Sequence, residues 1–270
     1  SKNILLPNLR MDSNFTHNLE STADSIRKSN DYIVFPITVF DNFYEDPDTV
    51  REFALNQKYS NLVGVHPGLR TNCISGFNEE FYDIAYHKIL SMFGDYSQTC
   101  DPTNYESFSY FQKIWRFSSD PKDPVNDGWI HNDGLCPLAA VIYLDPDPVN
   151  DNGTSVYIKD YNLPEEERVT PNNRPQWYND VLGSEDLSSV DSLKPYRKSI
   201  VKNNNQFSLT TEVKNRYNRA IIYSGAQWHG QTSYYMPTDD DFRLTQVFFF
   251  FEMNIPNILV PKVRCKSYGI

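Results

Sequence analysis

Two histidines, an aspartate and an arginine are the residues of this chain best placed to do chemistry. The stretch WIHNDG (129–134) sets His131 and Asp133 one residue apart. In an extended strand, residues i and i+2 project to the same face, so both side chains can reach one ion held against a sheet. A His-x-Asp arises by accident about 0.4 times in a chain of this composition, so the pair needs support from elsewhere. That support comes from His229 in AIIYSGAQWHGQTSYY (220–235), which follows another apolar strand pattern. Two histidines and one carboxylate on one face form a facial triad that holds iron(II) and leaves coordination positions open. Two open positions suit a chelating co-substrate and one suits dioxygen. Arg243 opens RLTQVFFFF (243–251), where alternation groups Arg243, Thr245, Val247 and Phe249 on one side. A lone buried guanidinium costs several kcal/mol without an anionic partner. The far carboxylate of a metal-bound dicarboxylate would supply that partner, in a bidentate geometry that suits Arg better than Lys.

Each of these residues also has a plainer reading. Asn132, Asp133 and Gly134 are turn formers, His229 could be a satisfied core histidine, and Arg243 could pair at the surface with Asp239, Asp240 or Asp241, an interaction worth little. His66 and Arg70 in HPGLR either line a cleft mouth or, as is more common for a Pro-Gly turn with polar flanks, lie on the surface. His17 and His87 are expected to be solvated or structural. Trp115, Trp177 and Tyr178 are candidates for substrate contact, with a core role equally open to Trp115.

The elements that must position these residues are legible in part. DYIVFPITVFDNF (31–43) reads as one or two short strands interrupted at Pro36. DPDTVREFALNQ (46–57) offers Asp46 as N-cap, Pro47 at the first helical position, and Val50, Phe53 and Ala54 at helical spacing. After the loop GVHPGLRTN (64–72), a second helix spans NEEFYDIAYHKILSMFG (78–94), with an apolar stripe of Phe81, Ile84, Ala85, Ile89 and Met92/Phe93 and a stop at Gly94. From about residue 104 the texture turns to β: YESFSYFQKIWRFSS, PLAAVIYLDP, TSVYIKDY, RAIIYSG and RLTQVFFFFEM are short strands divided by turns, the pattern of a sandwich or jelly roll. Residues 160–218 are polar and aperiodic, which predicts an insertion with local structure, a candidate lid.

Bulk properties narrow the classes. At 270 residues with 39% hydrophobic and 14% aromatic content the chain can bury a sizeable core. A formal charge of −10 without a basic block argues against a nucleic-acid partner. No run of 18 apolar residues predicts a membrane span, and the N-terminal stretch has no long apolar core of the signal-peptide kind, so the expected compartment is cytoplasmic. Cys73, Cys100, Cys136 and Cys265 are scattered without a C-x-x-C pair and are expected to be reduced thiols.

The ordered set of HND at 131–133, WHG with His229, and RLTQ with Arg243 resembles the 2-oxoglutarate/Fe(II)-dependent dioxygenase superfamily, in its prolyl-hydroxylase-like branch. The longer blocks FPITVFDNFYEDPDTVREFA, VHPGLRTN, NRAIIYSGAQWHG and FRLTQVFFFF are similar to an uncharacterised oxygenase-like family of bacteria and phages, over about residues 35–252. The resemblance implies a mainly β fold with N-terminal helices, a double-stranded β-helix of the jelly-roll, cupin-like kind. One domain would span 1–270: strand and helical support in 1–100, the core in 104–254, the insertion in 160–218 and a tail in 255–270. It also implies His131, Asp133 and His229 as ligands of Fe(II), and Arg243 as partner of the 2-oxoglutarate distal carboxylate, with Tyr143 in IYLDP (142–146) as a second contact. The activity implied is conversion of 2-oxoglutarate and O2 to succinate and CO2, coupled to hydroxylation of a C–H bond in a small-molecule or protein substrate. With Asp133 filling the carboxylate position, no vacant halide site is offered, which disfavours halogenation. Two other readings remain open: a jelly-roll binding protein that keeps the metal site without turnover, and a cupin-type enzyme that uses the metal without 2-oxoglutarate.

Overall fold

A computed structural model describes residues 37–60, 66–76, 79–91, 106–133, 136, 138–149, 152–160, 194–225 and 227–251. The described part of the chain is mainly antiparallel β. Six strands form one sheet in the order β1-β7-β4-β9-β3-β2: β1 (Thr38–Phe40), β7 (Ala220–Tyr223), β4 (Leu138–Tyr143), β9 (Phe242–Phe251), β3 (Glu106–Trp115) and β2 (Leu69–Arg70). Three more form a smaller sheet in the order β6-β5-β8: β6 (Phe207–Val213), β5 (Thr154–Lys159) and β8 (Trp228–Gln231). Every pairing is antiparallel. Among the described residues no helix is long and apolar enough to cross a membrane.

The large sheet packs one face into the core and turns the other to a cavity, and the period of two in β9 separates these two jobs. Leu244, Phe248 and Phe250 face one side and join Phe111, Leu138, Ala140, Ile142, Ala220 and Ile222 in the main core. Two helices cover that face. α1 (Pro47–Leu55) contributes Val50 and Ala54, and α2 (Glu79–Leu90) contributes Ala85, Tyr86, Ile89 and Leu90. α1 begins as the sequence predicts: the Asp46 side chain accepts from Thr49 N at 3.1 Å and Thr49 Oγ1 at 2.7 Å, with Pro47 just inside. In α2 the buried stripe is rotated from the expected one. Ile84 is 46% exposed, and the covered face runs through the 81/82, 85/86 and 89/90 pairs, because Tyr82 and Tyr86 stack on each other and then on Phe248 and Phe250. Aromatic stacking, with more area to bury than one isoleucine, sets the rotation.

Within 160–218 the described residues hold α3 (Lys194–Asn204) and β6, which pairs along its length with β5. β6 leaves no hydrophobic signal because it is an exposed edge strand: only Val213 is buried and Leu209 is 55% exposed. The segment therefore completes the small sheet as well as inserting into the chain. Residues 31–36, Met92, Phe93, Gly94, Cys100, Trp177, Tyr178, His17, Cys265 and the 255–270 tail lie outside the described residues. Cys73 and Cys136 are free thiols.

At the end of β4 the chain buries a carboxylate. Asp145 is 8% exposed, accepts from Leu244 N at 2.9 Å and Asn215 Nδ2 at 3.3 Å, and ties β4 to β9. Burial pushes its carboxyl up to about 6, against the Leu244 N–H and the nearby Arg243 charge. A raised carboxyl pKa means that the folded state holds the proton more tightly than the unfolded state. The resulting penalty is absent well below pH 4, where both states are protonated, and grows as pH rises to about 6. Asp145→Asn should remove it. Relative to the variant, the wild type should lose about 2–3 kcal/mol between pH 4 and pH 6.5 in denaturant titrations.

Candidate metal and co-substrate site

The small sheet gains a partial fourth strand from residues 128–131. His131 N donates to His229 O at 2.9 Å, His229 N donates to His131 O at 2.8 Å, and Gly128 N donates to Gln231 O at 3.0 Å. Residues that exchange both bonds sit directly opposite with side chains on one face, so this pairing puts the two imidazoles together. A Cβ on Gly128 would lie 2.0 Å from Gln231 O, so the approach requires glycine there. The outer edge of the arm is held from α3. Asn204 accepts from Ile130 N at 3.1 Å and donates to Gly128 O at 2.9 Å, and Asn203 donates to Ile130 O at 2.9 Å.

The ring centroids of His131 and His229 lie 4.5 Å apart. Each Nδ1 faces a carbonyl two residues back, Trp129 O at 2.7 Å and Gln227 O at 2.8 Å. A carbonyl can only accept, so Nδ1 carries a hydrogen and Nε2 is left as the ring atom available to a metal. Both Nε2 atoms turn to Asp133: His131 Nε2 is 3.6 Å from Oδ1 and His229 Nε2 is 3.3 Å from Oδ2. One ligand atom from each of the three residues falls within 4.8 Å of the others. Two imidazoles oriented through Nδ1 and one carboxylate form a donor set suited to a divalent first-row metal. Asp133 is fixed by its backbone, whose N donates to Gly225 O at 2.7 Å, and a Cβ on Gly225 would meet Cys136 O at 2.6 Å and Asp133 Cβ at 3.0 Å. Burial, then the Asp133 charge, push the Cys136 thiol up to about 12, so it stays protonated and donates to Leu138 O at 3.1 Å.

The triad lies on the wall of a cavity of about 360 Å³ between the two sheets. The floor is the second face of the large sheet: Arg243, Val247 and Phe249 of β9, Tyr110, Gln112 and Ile114 of β3, Ala139 and Val141 of β4. Arg243, Thr245, Val247 and Phe249 do share a side, as alternation predicts. Arg243 is 5% exposed, its Nη1 donates to Gln231 Oε1, and its guanidinium carbon sits 5.1 Å over the Tyr143 ring. The Gln231 amide is oriented in turn by a 2.9 Å bond from Nε2 to Ser233 O. Two buried polar atoms make no hydrogen bond, Arg243 Nε at the cavity wall and Thr245 Oγ1 next to it on β9, behind the lining. Such atoms cost about 1–3 kcal/mol each when unsatisfied, so this end of the cavity fits an anionic ligand with several oxygens. Asp239, an alternative partner for Arg243, is taken by Arg116 at 2.8 Å.

The structure brings His131, Asp133, His229 and Arg243 to one cavity. Tyr143 stands behind them: it is fully buried, its hydroxyl meets Thr154 Oγ1 at 2.7 Å, and it is not among the residues lining the cavity. Trp115 packs on Phe242 and does not line the cavity either. His87 lies edge-on to Tyr86 in α2. The surface reading of HPGLR is corrected: His66, Pro67 and Arg70 line the cavity and His66 is 7% exposed. The reason is Gly68, whose φ of +68° and approach to Lys113 O, 2.0 Å from where its Cβ would stand, fold the turn against β3. Sequence reasoning also missed Gln231, Thr154, Tyr223 and the Asn203–Asn204 clamp. Burial, then the Asp133 charge, hold the Tyr223 phenol well above its usual range, which keeps it an O–H donor.

Residues 34–241 match the model of a family of unknown function (DUF6445), and the chain belongs to that family. No curated protein matches. Solved structures that resemble it include HygX from Streptomyces hygroscopicus with nickel and 2-oxoglutarate bound, at 13% identity over 81% of this chain and 84% of that one, TM-score 0.44. The epimerase SnoN in complex with Fe3+, alpha ketoglutarate and nogalamycin RO matches at 12% identity over 88% and 84%, TM-score 0.46. A 2OG-Fe(II) oxygenase family oxidoreductase from Burkholderia pseudomallei matches at 10% identity over 88% and 92%, TM-score 0.37.

The clamp generates a prediction. Asn204→Ala leaves Ile130 N and Gly128 O without their partner and loosens the arm that carries His131. Mn(II) affinity, measured calorimetrically, should fall about tenfold or more, the size of effect typical of groups that orient metal ligands, while far-UV circular dichroism stays unchanged.

Proposed function

We propose that the chain is an Fe(II)- and 2-oxoglutarate-dependent oxygenase on a double-stranded β-helix, hydroxylating a C–H bond of a small-molecule or protein substrate with release of succinate and CO2. The observation that carries the reading is the pairing of the His131–Asp133–His229 donor set with a buried arginine, Arg243, in the same cavity. The topology supports the fold. With β3 as first strand and the 128–131 arm as second, β4 to β9 become the third to eighth. The first, eighth, third and sixth are then neighbours in the large sheet, and the second, seventh, fourth and fifth in the small one. Two interleaved four-strand sets of this kind are the arrangement expected of a jelly roll, which supports this reading.

In this reading His131, Asp133 and His229 hold iron(II), and the ion with 2-oxoglutarate and O2 supplies the oxidising chemistry. The chain supplies position. Arg243 takes the distal carboxylate, Gln231 and the Tyr143 ring fix the direction of its guanidinium, and the Thr154 hydroxyl, backed by Tyr143, offers a further polar contact at that end. Phe249, Val247, Val141 and Ala139 line the floor with apolar groups and keep water from the centre. A cupin-type reaction without 2-oxoglutarate leaves Arg243 without a role, so the arginine separates the two.

Incubated in air with Fe(II) and 2-oxoglutarate, the wild type should release succinate even without a prime substrate, and Asp133→Ala and His229→Ala should not. Wild-type protein that binds iron but releases no succinate would count against the reading. Arg243→Met should raise the 2-oxoglutarate concentration for half-maximal release by at least ~30-fold, as expected when one partner of a buried charge pair is removed, and Arg243→Lys by less.

A further inference from the structure

One polar group beside the triad has no task in the proposed function, the hydroxyl of Tyr223. Tyr223 closes β7 and stands opposite Ala139, which stands opposite Phe249, which stands opposite Phe108. This row crosses the cavity floor, and its other three side chains are apolar. The Tyr223 ring, 4% exposed, leans on the His229 imidazole with centroids 4.7 Å apart and planes at 58°. Its oxygen end lies on the side of the ion site: after burial, the Asp133 carboxylate acts on the phenol more than any other group does, ahead of Tyr143, Cys136 and Arg243. Yet among the described residues none accepts a hydrogen bond from this hydroxyl. Buried tyrosines elsewhere in the chain find a partner: Tyr44 donates to Gln246 Oε1, and the Tyr143 hydroxyl meets Thr154 Oγ1 at 2.7 Å. The neighbouring Cys136 thiol is engaged with Leu138 O at 3.1 Å and Phe250 O at 3.4 Å. A donor left open in an apolar wall is destabilising unless a ligand brings the acceptor.

The direction of the co-substrate narrows which ligand that is. Arg243 leaves β9 six positions before Phe249, roughly 20 Å of strand from the Tyr223 row. On β8 the order agrees: Gln231, which accepts from Arg243, lies two residues beyond His229, on which Tyr223 leans. A 2-oxoglutarate that chelates at the triad and ends on Arg243 therefore runs away from Tyr223. Three protein ligands and a bidentate chelate leave one position of an octahedral ion open, and Tyr223 stands on the side of the ion that the chelate leaves. A small ligand in that position meets an apolar row with one donor at its end.

We propose, resting on the oxygenase reading, that the Tyr223 hydroxyl is the hydrogen-bond donor to the small ligand that completes the metal's coordination, dioxygen in turnover, and that this bond sets the direction in which the ligand lies over the floor. A neutral phenol suits the role. It donates one hydrogen bond without adding charge beside Asp133, and its ring is fixed by His229 and by packing among Cys136, Ala139 and Ile221.

The test uses the full chain with Fe(II) and saturating 2-oxoglutarate under anaerobic conditions. The probe is nitric oxide, a diatomic ligand whose N–O stretch is read by infrared difference spectroscopy. In the wild type the stretch should shift between H2O and D2O, because the donor proton exchanges. Tyr223→Phe keeps the ring and removes the hydroxyl: the stretch should rise, its solvent isotope shift should vanish, and nitric oxide should dissociate about three- to tenfold faster, the range of one net hydrogen bond. Mn(II) and 2-oxoglutarate affinities, measured calorimetrically, should be unchanged. A wild-type stretch indifferent to D2O, an unaltered stretch and dissociation rate in Tyr223→Phe, or a variant that keeps the nitric oxide signature and loses 2-oxoglutarate affinity would each overturn the assignment, the last by giving the hydroxyl to the chelate. The wild-type isotope shift needs no variant, so a misfolded Tyr223→Phe does not spare the claim. The stretch is also recorded on the Fe(II) protein without co-substrate, which keeps the two claims apart: failure of 2-oxoglutarate to bind sinks the oxygenase reading, and the isotope shift still scores Tyr223.

Discussion

The site depends on one backbone constraint: the reciprocal hydrogen bonds between His131 and His229. A pair that exchanges both N–H···O=C bonds fixes two residues opposite each other and sends both side chains to the same face. No side-chain interaction achieves this, because two imidazoles have no strong attraction for each other. The small sheet provides the frame. β8 is held by β5, β5 by β6, and the 128–131 arm by the asparagines of α3, so the imidazole pair is set by a ladder of backbone bonds far larger than the site itself. Asp133 then needs only a short turn, anchored by Gly225, to bring its carboxylate to both Nε2 atoms.

The large sheet contributes the opposite property. It buries one face under helices with no polar demands beyond a few matched pairs, and it gives its other face to a cavity where buried polar atoms are left open. Arg243 Nε and Thr245 Oγ1 make no hydrogen bond although both are buried. Native interiors satisfy nearly all such groups, and exceptions gather where a ligand completes the set. The division runs along one strand: on β9, Arg243, Val247 and Phe249 meet the cavity while Leu244, Phe248 and Phe250 meet the core, so a single-residue slip of β9 would exchange chemistry for packing.

Much of this was legible in the chain because it follows from period and type. His131 and Asp133 at i and i+2, the alternation of Arg243 through Phe249, and the Asp46–Pro47 start of α1 are local patterns with local causes. What was hidden depends on contacts across the chain. Arg70 looked like the flank of a surface turn, and only the clash that any Cβ at Gly68 would make with Lys113 O explains why that turn is folded inward. Asn203 and Asn204 read as a polar tract, yet they satisfy backbone groups more than seventy residues away. β6 gave no signal because hydrophobic period reports burial, and β6 has almost none. Tyr143 lies under the Arg243 guanidinium but behind the lining, and in sequence a packed aromatic and a contact residue look alike.

The central claim is that the three side chains share one ion. Anomalous diffraction at the iron edge, from crystals grown anaerobically with Fe(II) and 2-oxoglutarate, addresses it directly. The account predicts a single strong peak within coordination distance of His131 Nε2, His229 Nε2 and an Asp133 carboxylate oxygen, with 2-oxoglutarate density running from it to Arg243. A peak elsewhere, or one that leaves either imidazole out of reach, would contradict it.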